Sequence, residues 1–77
     1  MSVTPDETLR AEIIEYAQQL AQKHGWTWLE PVEVVAGAES GEPVWIVRSN
    51  AGMRGANVRI VLRRSDRSLV RAGFLPR

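Results

Sequence analysis

The sequence predicts an α+β domain in which one N-terminal amphipathic helix packs on a four-stranded antiparallel meander, in the order α-β-β-β-β. Apolar residues recur at three- and four-residue spacings in the first third of the chain. Four runs rich in β-favouring residues follow, and short polar segments separate them. Short connections favour antiparallel neighbours, and 77 residues accommodate a single domain, 1–77.

The helix is predicted at about 5–24. Its apolar stripe comprises Leu9, Ile13, Ala17, Leu20, Ala21 and His24. Thr4 is the predicted N-cap, with Pro5 at the first helical position and Glu7 completing a capping box. Gly25 is the expected left-handed residue after the last turn, and we interpret His24 as a boundary residue rather than a catalytic one.

The first strand is predicted at about 27–38. Trp26, Thr27, Trp28 and Leu29 are favourable strand residues and open it directly after the helix. Because Pro31 cannot donate a ladder hydrogen bond, the prediction is an edge strand, or one with a bulge near Glu30 and Pro31.

The three later strands are predicted at 43–49, 57–64 and 69–75, with turns or loops at 39–43, 50–55 and 65–68. The strand at 57–64 alternates cleanly between apolar and polar residues, which indicates one buried face. The side chains predicted to face the helix are Trp45, Val47, Val58, Ile60, Leu62, Val70, Ala72 and Phe74.

The opposite face of the sheet is the candidate binding surface, because one helix covers only one face. It is predicted to expose an aliphatic patch ringed by arginines: Val44, Ile46 and Val61 with Arg48, Arg59, Arg63 and Arg71. Exposed apolar surface rimmed by arginine is typical of protein-binding or self-association faces. The alternative is that Glu30 and Glu33 reach some of these arginines and that the valines are ordinary strand residues.

The charges are divided between the two halves of the chain. Residues 1–47 hold eight acidic residues against Arg10 and Lys23, whereas residues 48–77 hold eight arginines against Asp66 alone. Either the two halves neutralise each other within one molecule, or the arginines face outward toward an acidic partner.

Nucleic acid is the alternative partner for these arginines. Sheets that bind single strands use exposed aromatic side chains on which bases stack, and the predicted binding face has none. The pI of about 8.4 is also below that of strongly basic nucleic-acid-binding domains. Binding to protein, either a second copy or an acidic partner, is therefore the leading hypothesis.

No segment predicts catalysis, a metal or a cofactor. The chain has no cysteine, and His24 is its only histidine. Glu30 and Glu33 are three apart, which puts them on opposite faces of a strand, and the loop from Gly52 to Gly55 matches no phosphate-binding motif. We predict that the protein is not an enzyme.

The N-terminus has neither the basic start nor the apolar segment of a signal peptide, and no apolar run approaches the length of a membrane span. The expectation is a bacterial-type cytoplasmic protein.

The strands resemble a PepSY-type domain in the stretches 44–48 and 57–62, in Asp66, and in Ser68-Leu69-Val70. Such domains pair a helix with a β-hairpin whose turn contains aspartate, and small bacterial immunity-type proteins are similar. The usual Asp-x-x-Thr-Gly-Glu turn is here Asp66-Arg67-Ser68, without the glycine or the glutamate. The resemblance implies binding or inhibition of another protein rather than catalysis.

Overall fold

The computed structural model describes residues 6–52, 55 and 57–75. Its elements are α1 (Glu7–Lys23), β1 (Glu33–Glu39), β2 (Glu42–Arg48), β3 (Asn57–Arg63) and β4 (Leu69–Leu75). The strands form one antiparallel sheet in the order β1-β2-β3-β4. The predicted fold class, one helix followed by a four-stranded antiparallel meander, is confirmed.

The N-cap of α1 is Asp6, not Thr4. The Asp6 side chain accepts a hydrogen bond from the Leu9 N–H at 2.7 Å, which satisfies one of the free amides of the first turn. Thr4 and Pro5 lie outside the described residues. Within the described part of the chain, no helix is long and apolar enough to cross a membrane.

The C-terminal end of α1 is as predicted. Gly25 has φ of +72° and donates its N–H to Gln22 O at 3.1 Å, and Trp26 donates its N–H to Ala21 O at 2.9 Å. This pair of bonds is a Schellman motif, in which glycine carries the left-handed residue at no steric cost. The His24 ring stacks on Trp26 with a centroid separation of 4.5 Å.

β1 begins at Glu33, so the prediction of a strand from residue 27 is wrong. Residues 26–32 instead form an irregular segment, with a cis peptide bond before Pro31. Its carbonyls bond to the loop after β2: Leu29 O accepts from Asn50 N at 2.7 Å and Pro31 O accepts from Ala51 N at 2.9 Å. The β-favouring Trp26 and Trp28 pack against the core, and this tertiary contact outweighs their strand propensity.

The core lies between α1 and the inner face of the sheet. Its buried residues are Ile13, Ala17 and Ala21 of α1, Val34 of β1, Trp45 and Val47 of β2, and Val58, Ile60 and Leu62 of β3. Ala72 and Phe74 of β4 pack against this cluster. The inward assignment of Trp45, Val47 and the three β3 residues is confirmed.

Val70 is the exception, because a bulge in β4 turns it away from the core. Val61 pairs with Arg71 and Leu62 pairs with Leu69, which leaves Val70 as the extra residue. In such a bulge two residues of one strand oppose a single partner, and the strict alternation of faces is lost. Val70 is 40% exposed and lines a surface cavity with Val44 and Arg63.

The turns between strands follow the predicted positions. Ser40 and Gly41 both have positive φ, 50° and 82°, as the two-residue hairpin turn between β1 and β2 requires. Between β3 and β4, Asp66 accepts a hydrogen bond from the Ser68 N–H at 3.0 Å. This bond stabilises the carboxylate, so the pKa of Asp66 lies below its ordinary value.

Candidate protein-binding face

The sheet has an outer face, on the side away from α1, and it holds all the predicted binding residues. Directly paired residues of neighbouring antiparallel strands point to the same face. Val44 pairs with Arg63, Ile46 with Val61, Arg48 with Arg59, and Val61 with Arg71. The outer face comprises these residues together with Glu33, Val35, Gly37 and Glu39 of β1, Glu42 of β2 and Gly73 of β4.

The predicted exposed aliphatic patch is absent, although its residues lie on the predicted face. Val44 and Val61 are fully buried, and Ile46 is half-buried. Neither valine belongs to the cluster that packs on α1, so the neighbouring side chains of the outer face cover them. Ile46 lies over Gly37: a Cβ on that glycine would come within 2.8 Å of Ile46 Cδ1.

Three ion pairs cross the outer face. Arg63 Nε donates to both carboxylate oxygens of Glu42 at 3.0 Å, and Arg48 donates to Glu33. Arg71 of β4 donates to Glu39 of β1 at 2.8 Å. Because β2 and β3 lie between those two strands, the Arg71–Glu39 pair spans the sheet from edge to edge.

A fourth pair ties the sheet to the helix: Arg67 donates to Glu12 of α1 at 2.7 Å. Each of the four pairs joins an acidic residue of the first half to an arginine of the second. Among the described residues, four of the eight acidic residues of the first half are therefore paired with arginines of the second half within one molecule. Of the two glutamates proposed to reach the arginines, Glu33 does so, and Glu30 lies instead beside Arg10 and Trp28 in another surface cavity.

Arg59 stands apart from this pattern. Its cross-strand neighbours are Arg48 on β2 and Gly73 on β4, and among the described residues it makes no ion pair. Like charges placed directly opposite one another repel. Within the described part of the chain, Glu33 is the one carboxylate that bonds to either arginine, and it bonds to Arg48; Gly73 contributes no side chain beside Arg59.

An open cleft lies at this end of the sheet. It has a volume of about 440 Å³ and is lined by Arg48, Asn57, Val58, Arg59, Gly73 and Phe74. A Cβ built on Gly73 would meet nothing within 4 Å. Among the described residues the Arg59 guanidinium group has no carboxylate partner. The cleft beside it has room for a carboxylate from another molecule.

Sequence reasoning found the arginines of this site and missed Glu39, Glu42 and Gly73. The two glutamates flank a turn and were assigned to it, although residues that flank a two-residue turn pair across the hairpin and face the same way. The position of Gly73 opposite Arg59 could not be predicted from strand alternation, because it depends on the bulge at Val70.

No group of three or more potential metal ligands occurs among the residues that the structure describes. No family model, no curated protein and no solved structure matches this sequence. The resemblance to PepSY-type domains thus stays a prediction from strand patterning.

Proposed function

We propose that this protein is a non-enzymatic binding module, and that its outer face binds an acidic segment of a partner protein at Arg48 and Arg59. The observation that carries the proposal is the direct pairing of these two arginines across β2 and β3, where Arg48 bonds to Glu33 and Arg59 bonds to no carboxylate of the described residues. A carboxylate from a partner would relieve the repulsion between the guanidinium groups and form a charge-assisted hydrogen bond with Arg59.

The cleft beside Arg59 suits a side chain rather than a flat contact. Its lining joins the guanidinium groups of Arg48 and Arg59 with the open space beside Gly73, so a single acidic side chain would fit between the arginines and Gly73. The ion pairs at the other end of the face favour selectivity over general attraction to anions, since Glu39 and Glu42 there repel an acidic chain.

Self-association through this face has less support than an acidic partner. Val44 and Val61 are buried, so the face offers no aliphatic patch to a second copy. Nucleic acid is likewise less favoured, because glutamates already pair with Arg48, Arg63 and Arg71, and the described outer face carries no aromatic side chain for base stacking.

The test is a titration of ¹⁵N-labelled protein with a short peptide of alternating glutamate and glycine, followed by NMR. We expect the side-chain Nε–H signals of Arg48 and Arg59 and the backbone amide of Gly73 to shift, with binding that weakens as salt is added. Gly73→Glu should weaken binding at least about tenfold, because the new carboxylate lies opposite Arg59 and replaces the ligand.

Gly73→Gln is the matched control, since it fills the same space without the charge, and it should retain more of the binding than Gly73→Glu. A glutamine–glycine peptide of equal length should produce no shifts. The proposal fails if the acidic peptide leaves Arg59 unperturbed, or if both position-73 variants lose binding equally. Oligothymidylate is the competing ligand. If it binds more tightly than the acidic peptide, in a salt-sensitive manner, and if Arg59→Ala or Arg63→Ala weakens that binding, the protein binds nucleic acid rather than an acidic protein segment.

A further inference from the structure

β4 is an edge strand whose surface is more open than that of the other edge strand, β1. Leu69 and Val70 are 41% and 40% exposed, and Arg71 and Gly73 are exposed as well. In β1 only Ala38 is exposed. An edge strand presents unpaired backbone groups that can pair with another chain, and β4 has no proline or lysine within it to prevent this.

The hydrogen bonds of β3 show which backbone groups of β4 are free. Arg63 donates its N–H to Ser68 O at 2.9 Å, so the backbone groups of Arg63 point toward β4. Alternate residues of a strand point their polar groups to the same side, so those of Val61 and Arg59 also face β4.

The partners of those residues in β4 are Arg71 and Gly73, whose N–H and C=O groups are used inside the sheet. The intervening Ala72 and Phe74 therefore direct their N–H and C=O groups outward, away from β3. Ala72 is the middle residue of β4 (Leu69–Leu75). Among the described residues nothing bonds to this donor or this acceptor, which lie at the centre of the edge of the sheet.

We propose that β4 is a self-association surface, on which β4 of a second copy pairs antiparallel about a two-fold axis at Ala72. Each copy would donate its Ala72 N–H to the Ala72 carbonyl of the other, and the two sheets would join into one continuous sheet. This contact uses the edge of the sheet and does not depend on the binding of an acidic partner to the outer face.

The register of this pairing leaves room for the Arg71 side chains. With Ala72 at the centre, Arg71 of each copy lies opposite Gly73 of the other. The space beside Gly73 is open, with nothing within 4 Å of a Cβ built there, so the long arginine side chain meets no obstacle. The two Arg71 side chains are not placed directly opposite each other, and Arg59 of the other copy lies one strand further in.

The corresponding pairing of β1 with β1 is disfavoured. Its centre would be Ala36, which places Glu33 of each copy opposite Glu39 of the other, with like charges face to face. Pairing of β1 with β4 would leave a free edge at each end and produce open assemblies rather than a closed dimer.

The test is the molar mass in solution, measured by light scattering over a range of protein concentrations. We expect the mass to rise from 8.6 kDa to twice that value at concentrations up to about 1 mM. Ala72→Pro removes the outward N–H from each copy and should weaken the dimer at least about tenfold.

Ala36→Pro is the matched control, because Ala36 is also a half-buried central residue of an edge strand. The Ser49 N–H bonds to Val58 O, so the polar groups of Trp45 point toward β3, and those of its β1 partner Ala36 point outward. Ala36→Pro should leave the dimer intact. Amide hydrogen exchange of the wild-type protein gives a second measurement: the Ala72 N–H should become protected with rising concentration, whereas the Ala36 N–H should not.

The proposal is overturned if the mass stays at that of a monomer at about 1 mM. It is equally overturned if Ala36→Pro blocks association as strongly as Ala72→Pro, or if exchange at Ala72 is independent of concentration. If either variant does not fold, hydrogen exchange of the wild-type protein tests the proposal by itself: protection of the Ala72 N–H that rises with concentration supports the dimer, and constant protection overturns it.

Discussion

At the scale of single residues, Ser49 closes the ladder between β2 and β3. It is fully buried, its N–H donates to Val58 O at 3.0 Å, and its hydroxyl accepts from the Val58 N–H at 2.9 Å. The Ser49 carbonyl is satisfied by Asn57 Nδ2 at 3.1 Å. A side-chain oxygen thus takes the place of a backbone carbonyl where the two strands separate.

Ser49→Ala should therefore destabilise the protein. It leaves the buried Val58 N–H without an acceptor, which costs about 1–3 kcal/mol of unfolding free energy. Ser65→Ala, in the exposed turn after β3, is the control and should stay within about 0.5 kcal/mol of the wild type. Urea denaturation followed by tryptophan fluorescence measures both, and equal stability of the two variants would contradict this role.

At the scale of elements, the two edge strands are tied together by Arg71 and Glu39. No helix or strand of the described residues packs on the outer face, yet Val44 and Val61 are completely buried. Long arginine side chains cover apolar surface with their methylene groups while the guanidinium group stays in water. The Arg71–Glu39 pair crosses the strands that carry the two valines, so we assign part of their burial to the Arg71 side chain.

Substitutions at Arg71 separate this covering role from the charge. Arg71→Met keeps an apolar side chain and loses only an exposed ion pair, about 0.2–1 kcal/mol of unfolding free energy. Arg71→Ala also exposes the valines, and we expect it to cost a further 0.5–1 kcal/mol or so, from about 25 cal/mol for each Å² of apolar surface. Both values come from denaturant unfolding at low protein concentration; equal losses would show that the side chain covers nothing.

At the scale of the whole molecule, the four ion pairs match charges that the chain keeps in separate halves. Each pair is partly exposed, so each contributes only about 0–1 kcal/mol and is weakened by salt. The net charge of +1 follows from ten basic and nine acidic residues, and the ion pairs bring the acidic and basic halves of the chain together.

Salt should accordingly destabilise the wild-type protein. Raising NaCl from about 10 mM to about 1 M should lower the unfolding free energy by about 1–3 kcal/mol in total, because all four pairs are screened. A variant with Glu12, Glu33, Glu39 and Glu42 changed to glutamine should show the opposite sign, since salt then screens repulsion among unmatched arginines. Urea unfolding at each salt concentration measures this, and the same slope for both proteins would rule it out.

The periodicity of the sequence determined the helix with its inner stripe, the four strands, and which arginines share a face. These follow from the chain's local geometry, because side chains repeat every 3.6 residues along a helix and every two along a strand. The turns that contain Gly41 and Asp66 were also determined by residues close together in the chain.

Only the tertiary structure decided where β1 begins, which way Val70 points, and which charges meet. The start at Glu33 depends on bonds between residues 29–31 and the loop after β2, and the outward turn of Val70 depends on a bulge against β3. The same register buries Val44 and Val61 under neighbouring side chains and places Arg59 between Arg48 and Gly73. These are relations between residues far apart in the chain, and no local period encodes them.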